Sequence, residues 1–276
     1  MPELPEVETV RRGLGPVLIG ARLARVEARR PDLRFPLPDG FVQRLTGARV
    51  ESLGRRGKHL LFALDRGATL LVHLGMTGRF EIAGTPRANG DDKHAHIVFE
   101  TDAGARITYF DPRRFGFMDI LDGEAALASR LAGLGPEPLG DDFHPAWLKG
   151  AFAGRRQGPK TLLLDQGVVA GLGNIYVCEA LYRAGVSPLR PAGAIRAARL
   201  QRLVVAIRAV LEEAIENGGS TLRDFAAADG ELGYFQHSFE VYDREGEPCL
   251  TSGCRGVICR TVQAGRATFH CPACQR

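Results

Sequence analysis

Residues 160–185, KTLLLDQGVVAGLGNIYVCEALYRAG, read as a helix, a glycine-rich turn and a second helix. A longer amphipathic helix follows over 194–217, where Leu200, Leu203, Val204, Ile207, Val210, Leu211 and Ile215 form one apolar face. Gly218-Gly219 ends it, as glycine does just past a helix C-terminus. On the N-terminal side, GLGPEPLGDDFHP at 133–145 has the glycine and proline content of a linker. Upstream of it the period changes from helix to strand. HLLFAL at 59–64 and LLVHL at 70–74 are separated by the turn DRGAT, and AHIVFE and RITYF flank Asp102-Ala103-Gly104 as a hairpin. Several short strands with regular turns predict a β-sandwich or barrel. At the start, Val7, Val10, Leu14, Val17 and Leu18 fall at helical spacing, which predicts an amphipathic helix over 9–20 with Arg11 and Arg12 on its polar side. The order is a β half, a helical half and, from about Phe239, a small cysteine-rich tail; the fold class is α+β.

The chain has 276 residues, enough for one large or two modest domains. Its 45% apolar and 25% charged residues exclude disordered and fibrous classes. Arg and Lys number 36 against 32 acids, a formal +4 that argues neither for nor against a nucleic-acid partner. Only four of those cations are lysines: Lys58, Lys93, Lys149 and Lys160. No apolar run approaches the ~20 residues of a membrane span, and MPELPEVETVRRG has no signal-peptide core. The expectation is a cytoplasmic protein in a reducing compartment, with no membrane partner.

Six cysteines are present, five of them between Cys249 and Cys274. Under reducing conditions such clustering indicates metal ligation rather than disulfides. Cys271-Pro-Ala-Cys274 is a knuckle that offers two thiolates at one edge of a tetrahedron, and a second pair upstream completes a four-cysteine zinc site. Both Cys249-x4-Cys254 and Cys254-x4-Cys259 can supply that pair, and His270 is a further candidate ligand. A redox role for the CxxC needs a thioredoxin-like βαβ context, which is absent. Residues 249–276 carry four arginines and no acid, so the ribbon is a candidate phosphate-binding element.

Met1 is followed by Pro2, a small residue after which initiator Met is normally removed. Pro2 then presents a secondary amine, an unusual nucleophile that forms a permanently cationic iminium with a sugar aldehyde carbon. Glu3 beside it can act as general acid or base.

Six motifs occur together: MPELPEVETVRRGL, GRRGKHLLF, HLGMTGRF, DPRRFG, GLGNIYVCEAL and GRATFHCPAC. Spanning residues 2 to 274 in order, they closely resemble those of the formamidopyrimidine-DNA glycosylases, bacterial base-excision repair enzymes that remove 8-oxoguanine and ring-opened purines. The resemblance implies an N-terminal β-sandwich catalytic domain (1–132) with an N-terminal helix and a linker into the helical part (133–150). A helix–two-turn–helix domain with a lesion loop (151–238) and a C-terminal β-hairpin zinc finger (239–276) complete it. It implies one structural zinc on Cys249, Cys254, Cys271 and Cys274, with Cys259 a bystander. The family's usual first pair is Cys-x2-Cys, whereas the spacing here is Cys249-x4-Cys254.

An enzyme acting on a base must extrude it from the duplex. The resemblance assigns Met76, Arg113 and Phe115 to filling the resulting hole and holding the orphaned base. Read in isolation, Met76 and Phe115 are core residues and Asp111 to Arg114 an ordinary turn. Catalysis falls by resemblance to Pro2, Glu3, Lys58 as proton donor in β-elimination, and Arg266 in δ-elimination and phosphate binding. His73, His94, Arg156, Lys160 and Asn174 match DNA contacts. Residues 217–236 correspond to a loop that closes over the extruded base.

The expected partner is double-stranded DNA containing oxidised purines, bound by a monomer associated with the bacterial nucleoid. Two other readings are an endonuclease VIII-like glycosylase for oxidised pyrimidines and a non-catalytic zinc-ribbon damage sensor. PELPE, HLGM and DPRRF favour the purine enzyme over the first, and Pro2-Glu3 with Lys58 favour catalysis over the second.

Overall fold

The computed structural model describes residues 2–83, 92–220, 228 and 232–276. The chain divides into two compact units, Met1–Ala132 with Asn217–Gln236, and Gly133–Glu216 with His237–Arg276.

The first unit begins with α1 (Leu4–Leu18), β1 (Leu23–Ala28), α2 (Phe41–Leu45), β2 (Val50–Arg56) and β3 (His59–Leu64). It continues through β4 (Ala68–His73), β5 (Arg79–Ile82), β6 (Ala95–Thr101), β7 (Arg106–Phe110), β8 (Phe117–Asp122) and α3 (Gly123–Leu131). The strands form two four-stranded antiparallel sheets, ordered β1-β6-β7-β5 and β2-β3-β4-β8. Alternation along β3 turns Leu60, Phe62 and Leu64 inward. They share a core with Val26, Ile97, Phe99, Ile107 and Tyr109 of the other sheet, and each such side chain contributes ~1.5–3 kcal/mol on burial.

Val7, Val10, Leu14 and Leu18 of α1 fill the same core, which is the face that the spacing predicts. The helix begins at Leu4, earlier than position 9. Pro5 sits in the first turn, where no backbone N–H is needed, so proline starts this helix instead of preventing it. The predicted β6–β7 hairpin over Asp102-Ala103-Gly104 forms with Gly104 at positive φ.

The second unit holds α4 (Pro145–Phe152), α5 (Pro159–Leu163), α6 (Asn174–Arg183), α7 (Ala197–Glu216), and the hairpin β9 (Cys259–Gln263) and β10 (Arg266–His270). The helix–turn–helix read at 160–185 is α5, a turn through Gly171 at φ +87°, and α6. The apolar face of α7 is buried, and α6 packs against α7 and β10. Among the described residues no helix is long and apolar enough to cross a membrane.

Residues 217–236 group with the first unit. Ser220 bridges to Tyr234, and the Tyr234 and Phe235 amides donate to Asn217 and Gly219 carbonyls at 2.9 and 3.1 Å. Asn217–Ser220 and Gly233–Phe235 are therefore the stem of this segment. Of the expected lid, 221–227 and 229–231 lie outside the described residues.

Candidate functional site

Chain ends usually fray, but here the start is tied down. Pro2 is buried and Glu3, the N-cap of α1, is 4% exposed. A reciprocal capping box holds it: the Glu3 side chain accepts from the Glu6 backbone N–H, and Glu3 N–H donates to Glu6 Oε2 at 2.8 Å. Glu6 Oε1 accepts a second bond, from Ser220 N–H at 2.8 Å. Glu6 thus links the chain start to the stem of 217–236. Sequence reasoning missed it, although Glu3-x-x-Glu6 is a capping pattern. Lys58 lies in the same unit, in the two-residue turn Gly57-Lys58 between Arg56 and His59, with Gly57 at φ +56°. Its side chain folds inward and is 7% exposed, so it is no solvated strand end.

Met76 and Phe115 are not core residues; they are 39% and 41% exposed, with the Arg113 guanidinium 4.6 Å over the Phe115 ring. The structure brings these three residues together through two interlocked loops. Asp111, fully buried, accepts from Thr77 Oγ1 (2.6 Å), Gly116 N–H (2.8 Å) and Tyr109 OH (3.4 Å). Thr77 Oγ1 in turn accepts from Arg113 N–H at 3.2 Å. Burial and the Asp111 carboxylate both raise the Tyr109 pKa well above the usual tyrosine value, so its hydroxyl stays a donor. The loops nest because Gly75 and Gly116 lack side chains. A Cβ at Gly75, itself at φ +62°, would stand 2.2 Å from the Phe115 carbonyl carbon, and one at Gly116 would stand 2.0 Å from Tyr109 OH.

His73 precedes the first of these loops and stacks on Phe117 at 5.4 Å. Its Nδ1 accepts from Gly75 N–H at 3.0 Å. Burial first, then the neighbouring His59, Lys58 and Arg34 charges, depress its pKa to about 3. His73 is therefore a neutral ring with Nε2 as its remaining donor. His94 is half-buried, and its carbonyl accepts from Asp111 N–H at 3.1 Å, joining its backbone to the same loop system.

In the second unit three predicted residues converge on the β9–β10 hairpin. Lys160 Nζ donates to the Ala267 carbonyl (2.5 Å) and Thr268 Oγ1 (2.7 Å), and Asn174 Nδ2 donates to the same carbonyl at 3.0 Å. Ala267 follows Arg266, which leaves the tight turn Ala264-Gly265 with an exposed side chain. Lys160 is 0% exposed. Its ammonium is hydrogen-bonded to the hairpin next to Arg266, a placement that the sequence did not anticipate for this predicted DNA contact. Thr268 Oγ1 passes a bond to Gln263, which anchors to the Pro188 carbonyl at 2.9 Å. Arg156 is exposed in the loop before α5, apart from this network.

Cys249, Cys254, Cys271 and Cys274 place their sulfurs within 4.8 Å of one another. Cys259 is exposed and turned toward the Val257 carbonyl. The long first spacing is accommodated by a bend in which Cys254 N–H donates to the Thr251 carbonyl at 2.9 Å. Gly256 passes against the cluster, donating its N–H to Cys254 Sγ at 3.3 Å; a Cβ there would meet Cys271 Sγ at 2.6 Å. Without a cation the thiols cannot all ionise. Burial and the adjacent sulfurs push Cys274 up to about 12, whereas hydrogen bonds from Thr251 and Tyr182 overcome burial and bring Cys249 down to about 6. Four soft donors in this crowding fit a divalent metal ion. Glu179 of α6, which the sequence did not single out, accepts the N–H groups of Glu240, Val241 and Tyr242 at 2.8–3.0 Å and fixes the entry to this tail.

Known proteins are similar to this chain over its full length. The sequence model described as "Formamidopyrimidine-DNA glycosylase N-terminal domain" matches residues 1–118, and that of the "Formamidopyrimidine-DNA glycosylase H2TH domain" matches 134–226. Formamidopyrimidine-DNA glycosylases of Phenylobacterium zucineum and Caulobacter vibrioides are 67% and 66% identical, with 100% of each chain covered. The crystal structure of MutM (Fpg) from Thermus thermophilus superposes with TM-score 0.85 at 42% identity, covering 99% of this chain and 98% of that one. A Lactococcus lactis Fpg variant in complex with Fapy-dG-containing DNA gives TM-score 0.89 at 34% identity, covering 100% of both. With its domain order, its four-cysteine hairpin and these relatives in agreement, the chain belongs to the formamidopyrimidine-DNA glycosylase family.

Proposed function

We propose that the chain is a bifunctional DNA glycosylase and strand-cleaving lyase that removes oxidised purines, 8-oxoguanine and formamidopyrimidines, from duplex DNA in the bacterial cytoplasm. The observation that carries this reading is the immobilised chain start. Glu3 is buried and locked by Glu6, and Glu6 is tied to Ser220, so a residue that normally frays is held in a fixed place.

After loss of Met1, the Pro2 nitrogen attacks deoxyribose C1′ and the damaged base leaves with the bonding electrons. The Pro2 nitrogen then sheds its proton and the C1′–O4′ bond breaks with its electrons going to O4′, which is protonated. The C1′ iminium so formed draws electrons from the sugar, and Glu3 carries these protons. Lys58 supplies a proton in β-elimination. Arg266 holds the phosphate during δ-elimination, so the strand is cut on both sides of the lesion. Met76 and Phe115 fill the vacated space and Arg113 offers donors to the orphaned cytosine. His73, His94, Arg156 and Asn174 bind the DNA backbone, and Lys160 holds the hairpin from within.

The cysteine cluster holds one structural Zn2+, which supplies folding energy to the tail and takes no part in the chemistry. The division at 132, 150 and 238 belongs to the same reading, with 217–236 as the lid, and so does association with the nucleoid. Borohydride reduction in the presence of an 8-oxoguanine duplex tests it. A covalent protein–DNA adduct is expected, and a blocked N-terminus abolishes it. An adduct undiminished by blocking, or none at all, would overturn the assignment. Faster excision from thymine-glycol:A than from 8-oxoguanine:C would move the substrate to oxidised pyrimidines.

A further inference from the structure

A second cationic feature lies in the second unit and is lined by residues other than those given roles above. The loop after α6 and the start of α7 enclose a cavity of about 240 Å3. Arg190, Arg196, Arg199 and Arg276 line it, with Ser187 and Ile195 between them. No acidic side chain is among its lining residues, and the chain-terminal carboxylate of Arg276 offsets only one of the four guanidiniums. Among the described residues none of these four guanidiniums has a carboxylate partner.

The concentration of charge is greater than the count suggests. The N-terminus of α7 has no acid in its first turn, so the positive end of the helix dipole adds to Arg196 and Arg199 instead of being offset. Like charges held around one hollow repel, and an anion seated there removes the repulsion. An adjoining hollow shares Arg199 and Arg276 and adds Arg202; the acid on its wall, Glu240, is taken by Arg183 at 2.7 Å. The cavity is smaller than the ~300–1,000 Å3 of drug-sized sites, so it suits a single tetrahedral group and not a nucleoside. Guanidiniums match phosphate oxygens in geometry as well as charge.

We propose that this cavity is a phosphate-binding site, distinct from the residues that act on the lesion. Two sources share that chemistry: a free phosphate ion and a backbone phosphate of bound DNA. The second has structural support. Gly193 N–H donates to the Arg155 carbonyl and Ala192 N–H to the Gln157 carbonyl, at 3.0 and 2.9 Å. The wall of the cavity is thus hydrogen-bonded to the loop that carries Arg156.

The test uses the zinc-loaded full chain and a double variant, R190Q/R196Q, at two exposed positions, with R266Q as a comparison. Inorganic phosphate is expected to raise the unfolding midpoint of the parent and of R266Q above that in chloride at matched ionic strength. It is expected to leave the double variant unshifted, with excision of 8-oxoguanine from short duplexes unchanged. If the phosphate comes from DNA, the double variant loses about fivefold or more in affinity for an undamaged duplex of about 30 base pairs but keeps its affinity for one of about 12. If it comes from solution, both duplex affinities hold and the phosphate shift alone is lost; either result supports the site. A full phosphate shift in the double variant, or none in the parent, would overturn it. Neither outcome depends on the glycosylase reading, which the borohydride adduct tests separately.

Discussion

At the scale of single residues, the site rests on contacts that no residue type announces. Asp111 in DPRRFG reads as a turn acid, yet it is buried and gathers donors from Thr77, Gly116 and Tyr109. Replacing Gly116 with Ala drives a Cβ into Tyr109 OH, 2.0 Å away. We expect urea denaturation to show a loss of about 1–3 kcal/mol, typical of overpacking, with lesion excision falling because Phe115 moves. His73 carries a pH prediction. Its pKa is about 3 in the folded protein against 6.5 in the unfolded chain, so the unfolded state takes up the proton first. Stability is therefore fully present above pH 6.5 and declines as pH falls toward 3, by at most ~1.4 kcal/mol per unit from this residue. His73→Gln should flatten that decline, as read from urea midpoints across the acid range.

At the scale of elements, periodicity located α1, α5, α6 and α7 and the strands β3, β4, β6 and β7, and hydrogen bonding corrected their ends. The 9–20 helix starts at Leu4 because the capping box and Pro5 extend it by a turn and more. The hairpin β9–β10 was legible only as a ribbon between cysteine pairs; its attachment to α5 through Lys160 was not. Lys160→Met keeps the side-chain length and removes both bonds. It should cost about 1.5–3 kcal/mol, the range for hydrogen bonds to a charged group, and weaken DNA binding while zinc content stays at one per chain by metal analysis. Removing the metal is harsher. Because a structural zinc contributes ~10–16 kcal/mol at neutral pH, a strong chelator should unfold the hairpin and abolish DNA binding. The β-sheet circular dichroism of the first unit should persist.

For the whole molecule, the formal +4 is a poor guide to a DNA partner, and the placement of cations is a better one. If Arg156 and Arg266 each neutralise one phosphate, log K against log salt should fall with a slope of at least about −1.8, that is −0.9 for each of two. Arg156→Gln should make the slope shallower by about 0.9 and weaken lesion and undamaged duplexes alike, measured by fluorescence titration. The sequence by itself determined the order of β half, helical half and cysteine tail, and it singled out Pro2-Glu3 at the chain start. Those readings depend on period, spacing and residue type, which are local. Only the tertiary structure decided that Lys160 is buried, that Met76 and Phe115 are exposed beside Arg113, and that Glu6 reaches Ser220 across 214 positions of chain. Burial and hydrogen-bond partnership are properties of what the fold brings alongside a residue, and no stretch of chain contains that information alone.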